Sequence, residues 1–200
     1  MHPVLRCDIE VVVACLDPGA AAQGRLAAHL SREERLRAGR YASERDRRRF
    51  VVTRGRLREL LAERVGAAAG DLDLVSGRNG KPALGGRFAA SGLRFSASRC
   101  EELAIYAFAR HEVGIDLEKV RALPGADAIA ERICSPAELR AYRSLASEGR
   151  LAGFFALWTR KEALAKARGD GLSGDLRALD ASAVRNFQPA SGFVAAACLG

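Results

Sequence analysis

Apolar positions along this chain change period several times, and each change marks an element. Val4 to Leu16 carries branched apolar positions interrupted by Arg6, Asp8 and Glu10, which predicts a first strand. Ser31 to Arg40 reads as a short basic helix. Ser43 is placed to cap a longer one, with Glu44 and Asp46 in the first turn, where acids favour the positive end of the helix dipole. Phe50, Leu57, Leu61 and Val65 then recur near helical spacing, predicting roughly twenty helical residues with an arginine-rich opposite face. Gly66 to Gly70 ends that helix, Leu72 to Val75 is a short strand, and Gly77 to Gly80 is a turn signal.

The second half of the pattern opens with strands. Phe95 to Ser98 and Leu103 to Ala109 flank a turn at Arg99 to Glu102, and Val113 to Glu118 alternates as a further strand. Ser135-Pro136-Ala137-Glu138 joins an N-cap, a proline at the first helical position and a capping acid, so a helix starts there. Leu151 to Arg168 is amphipathic and is ended by Gly169 and Gly171, and Gly192 to Leu199 is strand-like. The order of elements predicts an α/β (α+β) protein of two halves, 1–111 and 112–200, meeting near His111. The pattern contains no internal sequence repeat.

Composition narrows the classes. A chain of 200 residues suits one domain or two small packed halves with a sizeable core. No apolar run approaches membrane-spanning length, and the N-terminus lacks the basic start and unbroken apolar stretch of a signal peptide. Cys7, Cys15, Cys100, Cys134 and Cys198 are scattered and odd in number, which argues against a disulfide framework or a zinc site and fits a reducing cytoplasm. His2, His29 and His111 have no metal-ligand spacing. The net charge of +8 calls for an anionic partner: nucleic acid, an acidic protein or a phosphate-rich small molecule.

The charge is spent unevenly. Of 32 basic residues only Lys81, Lys119, Lys161 and Lys166 are lysines, and each falls in or beside Gly80-Lys81-Pro82, Val113 to Glu118, or Trp158 to Lys166. An ammonium is a compact point charge and a guanidinium a planar fork, so the two are not interchangeable at a tight site. Asp116 and Glu118, two apart on a strand, point to one face, where their mutual repulsion asks for a cation such as Mg2+ or for solvent. Glu162 and Lys166, four apart on a helix, form either a surface pair or an acid and a cation aimed into a pocket, with Trp158 a turn earlier. Gly80-Lys81-Pro82 reads as a loop or as a stiff presenter of one ammonium to a nucleotide. The Arg32 to Arg49 cluster is a solvated helix face, a phosphate clamp or a dock for an acidic partner; aromatic residues for stacking on nucleic acid are few.

Taken in order, the three stretches resemble the signatures of the 4′-phosphopantetheinyl transferases: a Gly-Lys-Pro loop, a Val/Ile-Gly-Ile-Asp-hydrophobic-Glu strand and a Trp-x-x-Lys-Glu-x-x-x-Lys helix. The similarity is to the larger, usually monomeric, surfactin-synthetase-activating type, and runs from about residue 30 onward; Gly171-Leu172-Ser173 also looks like the Gly-Leu-Ser that follows the third signature. The resemblance implies two similar, pseudo-symmetric α/β halves with the ligand cleft between them. It implies transfer of the 4′-phosphopantetheine arm of coenzyme A to a serine of an acidic apo carrier protein of fatty-acid, polyketide or non-ribosomal peptide synthesis. Asp116, Glu118 and Glu162 would hold Mg2+; Glu162 would serve as or position the base, and Lys166 would steady the pyrophosphate and leaving group. Lys81 and Pro82 would contact the nucleotide end, Ser96 would donate a hydrogen bond, Arg49 and Arg37 would meet the 3′-phosphate, and Lys161 would add positive potential.

The family's Asn-hydrophobic-Ser-His-Ser run is here Arg94-Phe95-Ser96-Ala97-Ser98, with alanine at the histidine position. Two other readings follow from that loss and from the charge: a degenerate member that binds coenzyme A or a carrier without efficient transfer, and a basic nucleic-acid-binding protein.

Overall fold

A computed structural model describes residues 8–169 and 175–200. The chain runs β1 (Glu10–Cys15), α1 (Ala20–Ala28), α2 (Arg32–Ala38), α3 (Glu44–Val65), β2 (Leu74–Ser76), β3 (Pro82–Leu84), β4 (Arg94–Cys100) and β5 (Leu103–Ala109). It continues with β6 (Val113–Lys119), α4 (Ala126–Ile133), α5 (Pro136–Arg143), α6 (Ser147–Arg168), β7 (Arg185–Phe187) and β8 (Phe193–Leu199). Helix and sheet are mixed, as expected for an α+β protein. No helix among the described residues is long and apolar enough to cross a membrane.

Two three-stranded antiparallel sheets carry the architecture, in the orders β1-β5-β4 and β6-β8-β7, with β2 and β3 forming a separate hairpin. In each sheet the first strand in sequence pairs with the last, and the last with the middle one. α3 backs the first sheet. Its Val52, Leu57 and Leu61 join Phe95, Tyr106 and Phe108 in one buried cluster, and the Tyr106 hydroxyl donates to the Thr53 carbonyl at 3.0 Å. The other face of β5, through Ile105, Ala107 and Ala109, packs against Val113, Ile115 and Leu117 of β6. The two sheets are thus joined by apolar burial, the main driving term for such a junction.

Local chemistry fixes the helices. Ser31 and Glu34 close a capping box on α2, Ser43 caps α3 through the Asp46 amide, and Ser135 and Glu138 close a second capping box on α5. Glu34 also receives Arg58 Nε at 2.6 Å, and Arg58, 1% exposed, donates further to the carbonyls of Ala69 and Leu72. This buried cation is tolerated because its donors are met.

Two glycines set the helix approaches. A Cβ at Gly55 would lie 2.4 Å from the Leu26 carbonyl oxygen, which is how α1 lies close on α3. A Cβ at Gly114 would lie 1.8 Å from the Ala163 carbonyl oxygen, so α6 crosses β6 almost in backbone contact.

Several elements depart from the periodicity. The first strand spans Glu10–Cys15, and Val4 to Cys7 lie outside the described residues. The β4–β5 turn is tighter than the predicted Arg99 to Glu102, because β4 continues to Cys100. α6 begins at Ser147, a turn before Leu151. α1, α4, β3 and β7 have no counterpart in the sequence reading. The Gly-Leu-Ser at 171–173 lies outside the described residues.

Candidate active site

Gly114 is where the site is built. Its missing side chain lets α6 descend onto β6, and the helix period then delivers Glu162 and Lys166, either side of Ala163, beside Asp116 on the strand. Lys166 Nζ donates to Asp116 Oδ1 at 2.7 Å, to the Ile115 carbonyl at 3.2 Å and to Ser98 Oγ at 3.2 Å. Ser98, on β4, donates to the same Asp116 Oδ1 at 2.9 Å. Two residues further along each strand, Cys100 Sγ faces Glu118 Oε2 at 3.8 Å. Both strands therefore contribute alternate residues to one shared face.

The acids are under electrostatic stress. Asp116 is 5% and Glu162 6% exposed, and Asp116 Oδ2 and Glu162 Oε1 find no hydrogen-bond partner among the described residues. Burial, and then the charge of Asp116, push the Glu162 carboxyl up to about 7 against the pull of Lys166. Burial and Asp116 likewise raise Glu118 above the ordinary carboxylate range. Buried carboxylate oxygens left without partners are rare and concentrate where a ligand or catalysis uses them.

These oxygens test the expected magnesium site. Hard oxygen donors with unmet acceptor capacity suit Mg2+. Their placement is not a finished cage: among the described residues no group of three His, Cys, Asp or Glu side chains stands in metal-holding geometry. Lys166 presently supplies the positive charge at Asp116.

Glu162 and Lys166 open into a cavity of about 330 Å3 whose other walls include Lys81, Pro82, Ser96 and Ala97. Asn79 Nδ2 donates to the Gly169 carbonyl at 2.7 Å, tying the Gly-Lys-Pro loop to the end of α6. Lys81 Nζ donates to the Val113 carbonyl and to Glu112 Oε2, each at 3.0 Å. Ser96 Oγ accepts the Ile115 amide at 3.2 Å, which aligns β4 with β6. A larger cavity, about 1000 Å3, lies by Glu10, Arg64, Arg87 and Phe108, away from these acids.

Three expected contacts are not brought to the cavity. Lys161 is fully buried; its Nζ is held by Glu138 Oε2 at 2.7 Å and by the carbonyls of Leu176 and Leu179, which makes it an internal tether that does not line the cavity. Arg49 lies on Glu102 at 2.7 Å and near Asp46 at 3.7 Å. Arg37 sits over the Phe50 ring, 5.3 Å from its centroid. Trp158, a turn earlier on α6, is half-buried and stacks on Phe154. Ser98 and Cys100 were missed, although the period of two on β4 places them with Ser96 on one face.

Comparisons with known proteins point to one family. A model described as the 4′-phosphopantetheinyl transferase superfamily matches residues 112–195, which include the second and third signatures. Over those residues the chain is similar to the 4′-phosphopantetheinyl transferase superfamily. The 4′-phosphopantetheinyl transferase HetI of Nostoc sp. is 42% identical over 149 residues, 74% of this chain and 63% of that protein. The 4′-phosphopantetheinyl transferase of Bacillus subtilis is 28% identical over 77% of this chain and 66% of its own length. The 4′-phosphopantetheinyl transferase gsp of Aneurinibacillus migulanus is 27% identical over 74% and 59%. The chain thus spans about three fifths of the length of these superfamily relatives, 59% to 66% in the matched stretches.

Proposed function

We propose that this chain transfers the 4′-phosphopantetheine arm of coenzyme A to a serine hydroxyl of an apo carrier protein, releasing adenosine 3′,5′-bisphosphate, as a member of the surfactin-synthetase-activating type. One observation carries the reading: Glu162 and Lys166 meet Asp116 at a cavity walled by Lys81 and Pro82. The relatives named above bear the same activity in their names, which supports it.

In this reading coenzyme A lies between two similar halves, 1–111 and 112–200, with its pyrophosphate at Glu162 and Lys166 and its nucleotide end toward Lys81, Pro82 and Ser96. The serine oxygen forms a bond to the phosphorus that carries the pantetheine arm. The bond from that phosphorus to the bridging oxygen breaks, and the bridging oxygen leaves with the nucleotide. The serine proton passes to Glu162, a carboxylate that lines the cavity beside Lys166. Lys166 faces the charge that develops on the leaving phosphate.

Asp116, Glu118 and Glu162 would hold Mg2+, which supplies charge neutralisation to the pyrophosphate when bound. Lys166 would then share Asp116 with it. Arg37 and Arg49, which do not line this cavity, are assigned to the positive field that draws the anion in. The same field, from a net charge of +8, suits an acidic carrier protein. A cytoplasmic monomer fits the reading.

The experiment is intact mass of an apo carrier protein after incubation with this chain, coenzyme A and Mg2+, with EDTA as control. A metal-dependent gain of about 340 Da, the mass of one phosphopantetheine group, is the expected result. No gain across fatty-acid, polyketide and peptide-synthetase carriers would overturn the proposal.

A further inference from the structure

β4 and β6 belong to different sheets, yet β4 grips β6 through side chains at a period of two. Ser96 Oγ takes the Ile115 amide at 3.2 Å, Ser98 Oγ reaches Asp116 Oδ1 at 2.9 Å, and Cys100 Sγ faces Glu118 Oε2 at 3.8 Å. Of these three contacts the middle one also engages α6, because Lys166 Nζ donates to Ser98 Oγ at 3.2 Å.

A hydroxyl has one proton, and here its direction is fixed. An ammonium can only donate, so Ser98 accepts from Lys166 and spends its own proton on Asp116. Lys166 donates to the same Oδ1 at 2.7 Å, which closes a ring of side chains from β4, β6 and α6. Asp116 Oδ1 thus has two donors, while the buried Oδ2 has none among the described residues.

The two donors differ in how firmly they are held. Lys166 reaches Asp116 on a flexible four-carbon stem and lines the cavity of about 330 Å3, so an anion there attracts it. Ser98 is neutral and short, does not line that cavity, and sits on a strand fixed by its ladder to β5 and by Phe95 in the core. When the ammonium is drawn toward an anion, Ser98 is the donor that stays on Oδ1.

We propose that Ser98 is a positioning residue: it keeps the Asp116 carboxylate in one orientation, with Oδ2 unengaged, while Lys166 is handed to the phosphate of the substrate. The handover rests on the proposed function; the ring of hydrogen bonds does not. Ser98 touches no reacting atom and acts through Asp116 and Lys166. The role needs a group that donates and accepts at once, which threonine supplies and alanine lacks.

The scarcity of lysine makes the ring observable. With four lysines in the chain, nitrogen-15 labelling of lysine gives four ammonium signals, and loss of one in Lys166→Met identifies that of Lys166. In Ser98→Ala the Lys166 ammonium should exchange protons with water severalfold faster than in the unaltered chain, and Ser98→Thr should restore slow exchange. The fully buried Lys161 is the reference that neither substitution moves. In the intact-mass assay Ser98→Ala should lower kcat about tenfold, the scale of one hydrogen bond to a charged group. KM for coenzyme A should change less than twofold, and Ser98→Thr should recover most of the lost kcat.

Faster exchange with kcat untouched, or a loss of kcat that threonine does not recover, sinks the positioning role and leaves the transferase reading standing. If the unaltered chain modifies no carrier while exchange responds as expected, the transferase reading falls and the hold of Ser98 on Asp116 and Lys166 stands. Exchange indifferent to Ser98→Ala overturns the ring itself. Should a thermal melt show Ser98→Ala unfolded, Ser98→Cys, close to serine in shape but a weak donor and acceptor, takes its place with the same expectations.

Discussion

Lys166 on α6 and Asp116 on β6 meet at 2.7 Å, Nζ to Oδ1, across the closest approach of helix and strand in the molecule's second sheet. The ammonium has two further acceptors, the Ile115 carbonyl and Ser98 Oγ. Lys161 is similar, with Glu138 and the carbonyls of Leu176 and Leu179 around one nitrogen. Three acceptors converging on a point suit the tetrahedral donors of an ammonium and not a planar guanidinium. That geometry explains why a chain so rich in arginine keeps lysine at these two places.

Replacing Glu162 by glutamine separates its chemistry from its packing. The side chain is nearly isosteric and buried, so the fold should persist, and removing a buried charge should leave the metal-free chain at least as stable. Transfer should fall by about 10²- to 10⁴-fold, the range for loss of a positioned base. Intact-mass turnover beside a thermal melt checks both halves. Unaltered turnover would remove Glu162 from the reaction.

The raised proton affinity of Glu162 makes stability and activity move in opposite directions with pH. Between its unfolded value of 4.5 and its folded value of about 7 the native state binds more protons than the unfolded state, so this group's contribution is full below the lower value and lost as pH rises through the upper one. The metal-free chain should therefore lose stability from pH 5 to pH 8, and Glu162→Gln should flatten that slope. Transfer, which needs the ionised base, should rise with pH at lower values than this, because a cation held by Glu162 favours its ionised form. Urea titrations at fixed pH and a pH profile of kcat/KM give the two curves; parallel curves would contradict the assignment.

Lys161 is predicted to matter for the fold alone. Lys161→Met leaves the part-buried Glu138 carboxylate and two carbonyls without their cation. Breaking one partner of a buried pair costs about 3–5 kcal/mol, an upper range here because Glu138 keeps the Ser135 amide. Lys161→Arg should recover little, because the planar fork cannot reach the same three acceptors. Urea unfolding measures the loss, and coenzyme A affinity, measured where the variants stay folded, should be nearly unchanged. A variant of normal stability with weakened nucleotide binding would restore the positive potential first expected of Lys161.

This lysine also shows where sequence reading stops. The long helices were legible because Ser43 caps one of them and apolar spacing runs through both, and the capping box at Ser135 announced α5 without any knowledge of packing. Spacing put Asp116 with Glu118 on one strand face and Glu162 with Lys166 on one helix face, but it left a solvated surface open for both. The resemblance of three motifs in order singled them out. The partners of Lys161 could not be read in advance, because two of them are backbone carbonyls beyond the end of α6. α1 escaped because its alanine-rich turns have no marked apolar stripe, and its place depends on Gly55, far along the chain. Arg37 and Arg49 illustrate the converse error: charge was visible, but their engagement with Phe50 and Glu102 was not.

Gly114→Ala is the sharpest test of how the site is assembled. The new methyl would fall 1.8 Å from the Ala163 carbonyl oxygen and 2.5 Å from the Ala167 amide nitrogen, both backbone atoms that no rotamer change can move. α6 must therefore lift from β6, which withdraws Glu162 and Lys166 from Asp116 and opens the contact between Ala163 and the second sheet. Overpacking of side chains alone typically costs about 1–3 kcal/mol, and displacement of a whole helix should exceed that. The expected outcome is a chain destabilised by at least about 3 kcal/mol, above the usual overpacking range, with transfer reduced beyond detection even where it stays folded. Urea unfolding and the intact-mass assay on the same preparation decide it. A variant that kept normal stability and turnover would mean that the close crossing of α6 over β6 is not what brings the acids and the lysine together.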